Sequence, residues 1–144
     1  MATINAAETT LMMHGIIDTL ALAIVLLSAL YLVSLAVVSF ARPARASTYL
    51  LGFAGSALAH YVELGIRIIA GAAFVFRAPY MVFSDYFAVF GWILLVTTAG
   101  LMLVPWQWHQ AFARRAVPYA VQRLTLVAAS SLVAGGFIFY AALR

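Results

Sequence analysis

The sequence predicts an all-α integral membrane protein, a bundle of four transmembrane helices with a short interfacial amphipathic helix between the third and fourth. Of its 144 residues, 67% are hydrophobic and 8% charged, with a mean hydropathy of +1.08, whereas a soluble domain carries roughly 25% charge. The apolar residues also fall into four runs, each near or above the ~20 residues that carry a helix across ~30 Å of hydrocarbon. A lone strand in lipid would leave its backbone groups unpaired, so each run is read as a helix. No length remains for a separate soluble domain, and residues 1–144 are read as one transmembrane domain.

The first span covers about 17–40. FARPARAST, residues 40–48, closes it with Pro43 between two arginines. A second span follows over about 49–76; since this exceeds the length needed, it either tilts or has its first turns in the interface. RAPYMVFSDY, 77–86, is a short connection, the third span covers about 87–104, and the fourth about 124–143. Between these last two lies PWQWHQAFARRAVP, 105–118, bounded by Pro105 and Pro118. There Trp108, Phe112 and Arg115 recur at spacings of four and three, on one helix side. Trp106 and Trp108 suit headgroup level, with Arg114 and Arg115 toward anionic lipid or a partner. The N-terminal MATINAAETT has no basic n-region, and no cleaved signal peptide is expected.

The charged residues are eight arginines and four acids, Glu8, Asp18, Glu63 and Asp85. Arg42, Arg45, Arg114, Arg115 and Arg123 fall on one side of the predicted bundle, and Arg77 and Arg144 on the other. The positive-inside rule then puts both basic connections in the cytoplasm and both termini outside. Arginines in short connections mark topology, and no nucleic-acid partner is expected. The chain has no cysteine, which excludes disulfides and thiolate metal sites.

AHYVELGIRIIAG, 59–71, places three ionisable residues inside an apolar run. At 100° per residue Ser56, His60, Glu63 and Arg67 form one stripe, which Tyr49, Phe53, Gly71 and Phe74 continue. Glu63 and Arg67 stand at i and i+4 with the acid first, the favoured order for an ion pair along a helix. A charge at the bilayer centre costs about 2.5 to 3.5 kcal/mol on insertion scales, so compensation is expected. It is sought in the pair itself, in a hydrogen bond from His60, and in Tyr31 and Ser34 on span one or Thr97 and Thr98 on span three. Arg67 could also reach toward the outer surface. The two other histidines, His14 and His109, lie at opposite faces of the predicted bundle, so no pair of axial ligands and no metal site is expected. No GxSxG and no phosphate-binding loop is present, and catalysis is not expected.

RIIAGAAFVF, 67–76, lines up with SLVAGGFIFY, 131–140, at an offset of 64, while Pro43 and Pro105 are 62 apart. This hints at a duplicated two-helix hairpin with both copies in the same orientation. HYVELGIRIIAGAAFVFRAP, 60–79, and GWILLVTTAGLMLVPWQWHQAFARRAVP, 91–118, resemble small uncharacterised four-helix inner-membrane proteins of bacteria. That resemblance implies a bacterial inner membrane, with no activity or cofactor to carry over. Four-helix multidrug exporters of similar length keep their essential glutamate in the first helix; span one here has no acid beyond Asp18, near its outer end.

Exclusion leaves a non-catalytic accessory, stabilising or assembly subunit of a larger inner-membrane complex, such as a respiratory or photosynthetic one. Its partners would be membrane lipids and either other membrane subunits or further copies of itself. Two alternatives stay open: a small oligomeric transporter or channel with Glu63 as a proton or cation site, and binding of haem or a chlorin pigment through His60. On the main expectation there is no cofactor.

Overall fold

The computed structural model describes residues 2–52 and 56–144, all of them helical or in short connections, with no strand among them. Phe53, placed on the polar stripe from sequence, lies outside the described residues. Six α-helices follow one another: α1 (Ala2–Ala41), α2 (Pro43–Gly52), α3 (Ala57–Arg77), α4 (Ser84–Leu103), α5 (Trp106–Gln122) and α6 (Leu124–Leu143). A single 3₁₀ turn, Ala78–Tyr80, joins α3 to α4. Four helical stretches, in α1, α3 with that turn, α4 and α6, are long and apolar enough to cross a membrane.

Several boundaries differ from the sequence expectation. The apolar stretch of the first helix extends from Glu8 to Ala41, well ahead of residue 17. Residues 40–48 are not an open connection, because Pro43 ends α1 and starts α2. Proline lacks the N–H that would extend α1, and its fixed φ suits a first helical position. The second long helix begins at Ala57 rather than at residue 49. Ser56 caps it from extended backbone (φ −152°, ψ 158°), its side chain accepting a hydrogen bond from the Ala59 N–H at 3.2 Å. Pro118 does not close the helix after α4; it lies inside α5, which runs on to Gln122. α4 starts three residues before residue 87, behind Phe83 at φ 64°, ψ 42°. That left-handed conformation is uncommon for a bulky residue, and ring contacts with Tyr86 at 6.3 Å and Phe137 at 5.5 Å hold it.

The packing is organised in two halves, α1–α2–α3 and α4–α5–α6. The most extensive contacts are α1 on α6 and α3 on α4, and exchanging the halves turns one contact into the other. Val25, Ala29 and Ala36 of α1 are buried, and so are the residues 62 positions later in α4: Phe87, Gly91 and Thr98. His60, Leu64, Gly71, Phe74 and Ala78 are buried, and so are those 64 positions later: Leu124, Ala128, Gly135, Ile138 and Ala142. The crossings use glycine in both halves. A Cβ on Gly91 would stand 2.8 Å from the Gly71 carbonyl oxygen, and one on Gly135 2.9 Å from that of Ala29. Small residues let helix backbones approach this closely, which is how membrane helices gain packing energy. At the end of the bundle away from α2 and α5, Phe74, Phe87, Phe90 and Phe137 form a ring cluster with centroids 5.1 to 6.0 Å apart.

Candidate functional site

Because α3 begins at Ala57, the ionisable residues are not grouped about its middle. His60 falls in the first turn, Glu63 about 9 Å into the helix and Arg67 about 15 Å in, near its midpoint. Arg67 Nη1 donates to Glu63 Oε1 at 3.2 Å, and the two side chains remain 35% and 27% exposed. Side chains on a helix lean toward its N-terminus, so the Arg67 head group turns back to Glu63 and away from the outer surface that the sequence suggested.

The rest of the expected cluster is arranged differently. His60 is 3% exposed, with its ring 5.3 Å from that of Tyr61 at 58°, and neither ring nitrogen donates to the Glu63 carboxylate. Its counterpart in the second half is the buried Leu124, so His60 fills a core position. Ser56 is an exposed helix cap. Thr97 and Thr98 hydrogen-bond to the carbonyls of Ile93 and Leu94 in their own helix, as hydroxyls in apolar helices commonly do, and do not reach the pair. Of the expected helix α1 partners, Tyr31 stands across a cleft from Tyr49 of α2. Ser34 lies beside them in a cleft of about 280 Å³ between α1 and α2, which Arg45 also lines.

On α5, Trp108, Phe112, Arg114 and Arg115 are exposed, and Trp106 is half-buried. Trp108, Phe112, Arg115 and Tyr119 form an outward stripe in which the three aromatic side chains are 74%, 68% and 70% exposed. α5 packs on α2, so both amphipathic helices gather at the arginine-rich end of the bundle.

The tightest charged contact is one the sequence reading missed. Arg77 Nη1 bonds both oxygens of Asp18, at 2.6 and 2.7 Å, and so ties α3 to α1 across 59 positions of chain. The Arg77 side chain is 14% exposed and its guanidinium lies 5.2 Å above the Tyr80 ring. Sequence had assigned Arg77 to topology alone. A usable signal was present: an acid near one end of span one and an arginine at the end of span two, which antiparallel helices bring to the same depth. Among the described residues no three His, Asp or Glu side chains gather as a metal site would require.

Fold and site together define a class: an all-helical protein with four helices long and apolar enough to span a membrane, a basic end, and one intrahelical ion pair on a half-exposed shoulder. Compared with protein-family models, curated proteins and solved structures, the chain matches none.

Proposed function

We propose that this is a multi-pass protein of a bacterial inner membrane, with its basic end in the cytoplasm and both termini outside. Its role is that of a non-catalytic subunit that fastens to another membrane protein through the Glu63–Arg67 shoulder of α3. One observation carries this reading: a half-exposed ion pair on α3 held, among the described residues, by a single hydrogen bond. At 3.2 Å that bond is long for a charge-assisted contact, which favours about 2.7 to 2.9 Å. Among the described residues no second side chain hydrogen-bonds to either group. Charges at this depth are stable when their remaining donors and acceptors are filled, and polar groups of another polypeptide would fill them.

Purification in mild detergent tests the proposal. A partner, or a second copy of the chain, should co-elute at a fixed ratio, and Glu63→Ala should release it. A monomer of unchanged stability, with or without that substitution, would contradict it.

A further inference from the structure

The two halves bury several corresponding positions, but the packing of α3 on α1 has no counterpart of similar extent between α6 and α4. In the first half, the α3 face bearing Arg77 packs on α1, where Arg77 bonds Asp18. The corresponding α6 face carries Val127 and Ala141. At its far end that face is closed: the Val82 N–H donates to the Ala141 carbonyl at 3.1 Å, and Phe87 stacks 5.5 Å from Phe137. From Phe137 back to Arg123 the face is uncovered, leaving a shallow, open and almost wholly apolar groove along α6. The groove extends along 14 residues of helix, about 21 Å, enough to cover the ~15 Å of hydrocarbon in one leaflet.

Charge indicates the occupant. Arg123 and Tyr119, both exposed, stand at the mouth of the groove. Arg42, Arg45, Arg114 and Arg115 share that end of the bundle, and neither α2 nor α5 contains an acid. A guanidinium matches a phosphate with two parallel hydrogen bonds, and a phenol adds a donor at the same height. The exposed aromatic stripe of α5 leads to this mouth at Tyr119.

We propose that the groove binds one anionic phospholipid from the leaflet at the basic end. Arg123 and Tyr119 hold its phosphate, and one acyl chain lies along α6 against Ser130, Ala134 and Phe137. The site rests on the membrane reading above, though not on the fastening role of Glu63 and Arg67.

The test reconstitutes the full chain in phosphatidylcholine vesicles containing a minor fraction of phosphatidylglycerol, and weighs the protein released from them by native mass spectrometry. One phosphatidylglycerol should stay bound in preference to phosphatidylcholine. Arg123→Gln should lower its retention about fivefold, the effect of one basic residue at an anionic surface. Arg123→Lys should restore most of it. Ala134→Phe, which fills the groove and leaves charge unchanged, should lower retention as well, while Arg42→Gln should not. Equal retention of the two lipids, retention indifferent to both Arg123→Gln and Ala134→Phe, or a protein dimer in place of the lipid adduct would overturn the proposal. Alkaline carbonate washing separates the failures. A chain that washes off membranes sinks the membrane reading and the lipid site together, whereas an integral chain that keeps no phosphatidylglycerol sinks the lipid site alone.

Discussion

Asp18 and Arg77 show how a single charged contact can tie two helices of a bundle packed mostly through apolar and small residues. Both Asp18 oxygens accept from the one nitrogen Nη1, and the pair is mostly shielded on the arginine side, with Asp18 39% exposed. Its worth should therefore lie between that of an exposed and a buried pair, roughly 1 to 3 kcal/mol. Asp18→Ala and Arg77→Met should each lower resistance to unfolding in detergent by about that much, and the double variant should lose little more than either one; additive losses would show that the contact is idle. His60 offers the converse test. Because Leu124 occupies the equivalent buried position, a packing role alone predicts that His60→Leu leaves the unfolding midpoint nearly unchanged. A larger loss would give the imidazole a role beyond packing. The Glu63–Arg67 pair was legible in the sequence because i, i+4 spacing fixes side-chain proximity along one helix. The Asp18–Arg77 pair was not, because it depends on which helices are neighbours and how they slide past one another.

Among the elements, the glycine crossings carry the clearest consequences. Gly91→Ala would bring a Cβ within 2.8 to 2.9 Å of the Gly71 carbonyl oxygen and of Val75 backbone and side-chain atoms, and a helix backbone cannot give way locally. It should cost about 1 to 3 kcal/mol, the range for overpacking a filled core. Gly100 and Gly136 have nothing within 4 Å of an added Cβ, so alanine there should be neutral or stabilise by up to about 1 kcal/mol through helix propensity. Thermal or denaturant unfolding in detergent would rank the three, and equal effects at all three would remove the close-approach account. Four long helices were legible because apolar length alone determines them. The start of α3 was not, since residues 49–56 are apolar enough to continue a span, and what marks it in the structure is the Ser56 cap in extended backbone. Pro118 misled in the other direction, because a proline inside a helix leaves few signs of itself in sequence.

For the whole molecule, the paired offsets of 62 and 64 place corresponding buried residues in corresponding contacts. An apolar alignment of ten residues could only hint at this. The second half lacks the intrahelical pair of the first: Val127 and Ser131 stand where Glu63 and Arg67 do. The intrahelical ion pair of α3 thus has no counterpart on α6. The absence of native cysteine makes the proposed topology directly readable. Cysteines introduced singly at Thr48 and Gln107 should react with a membrane-impermeant thiol reagent only from the cytoplasmic side, and one at Pro79 only from the other. Reaction of all three from one side would contradict four crossings.

The central claim, that the α3 shoulder meets another polypeptide, is tested most directly by a photo-cross-linking residue at position 66, where Ile66 is 60% exposed beside the Glu63–Arg67 pair. In intact membranes it should give one discrete protein adduct that fades when Glu63 and Arg67 are both replaced by alanine. Adducts to lipid alone, or a protein adduct indifferent to loss of the pair, would contradict the account.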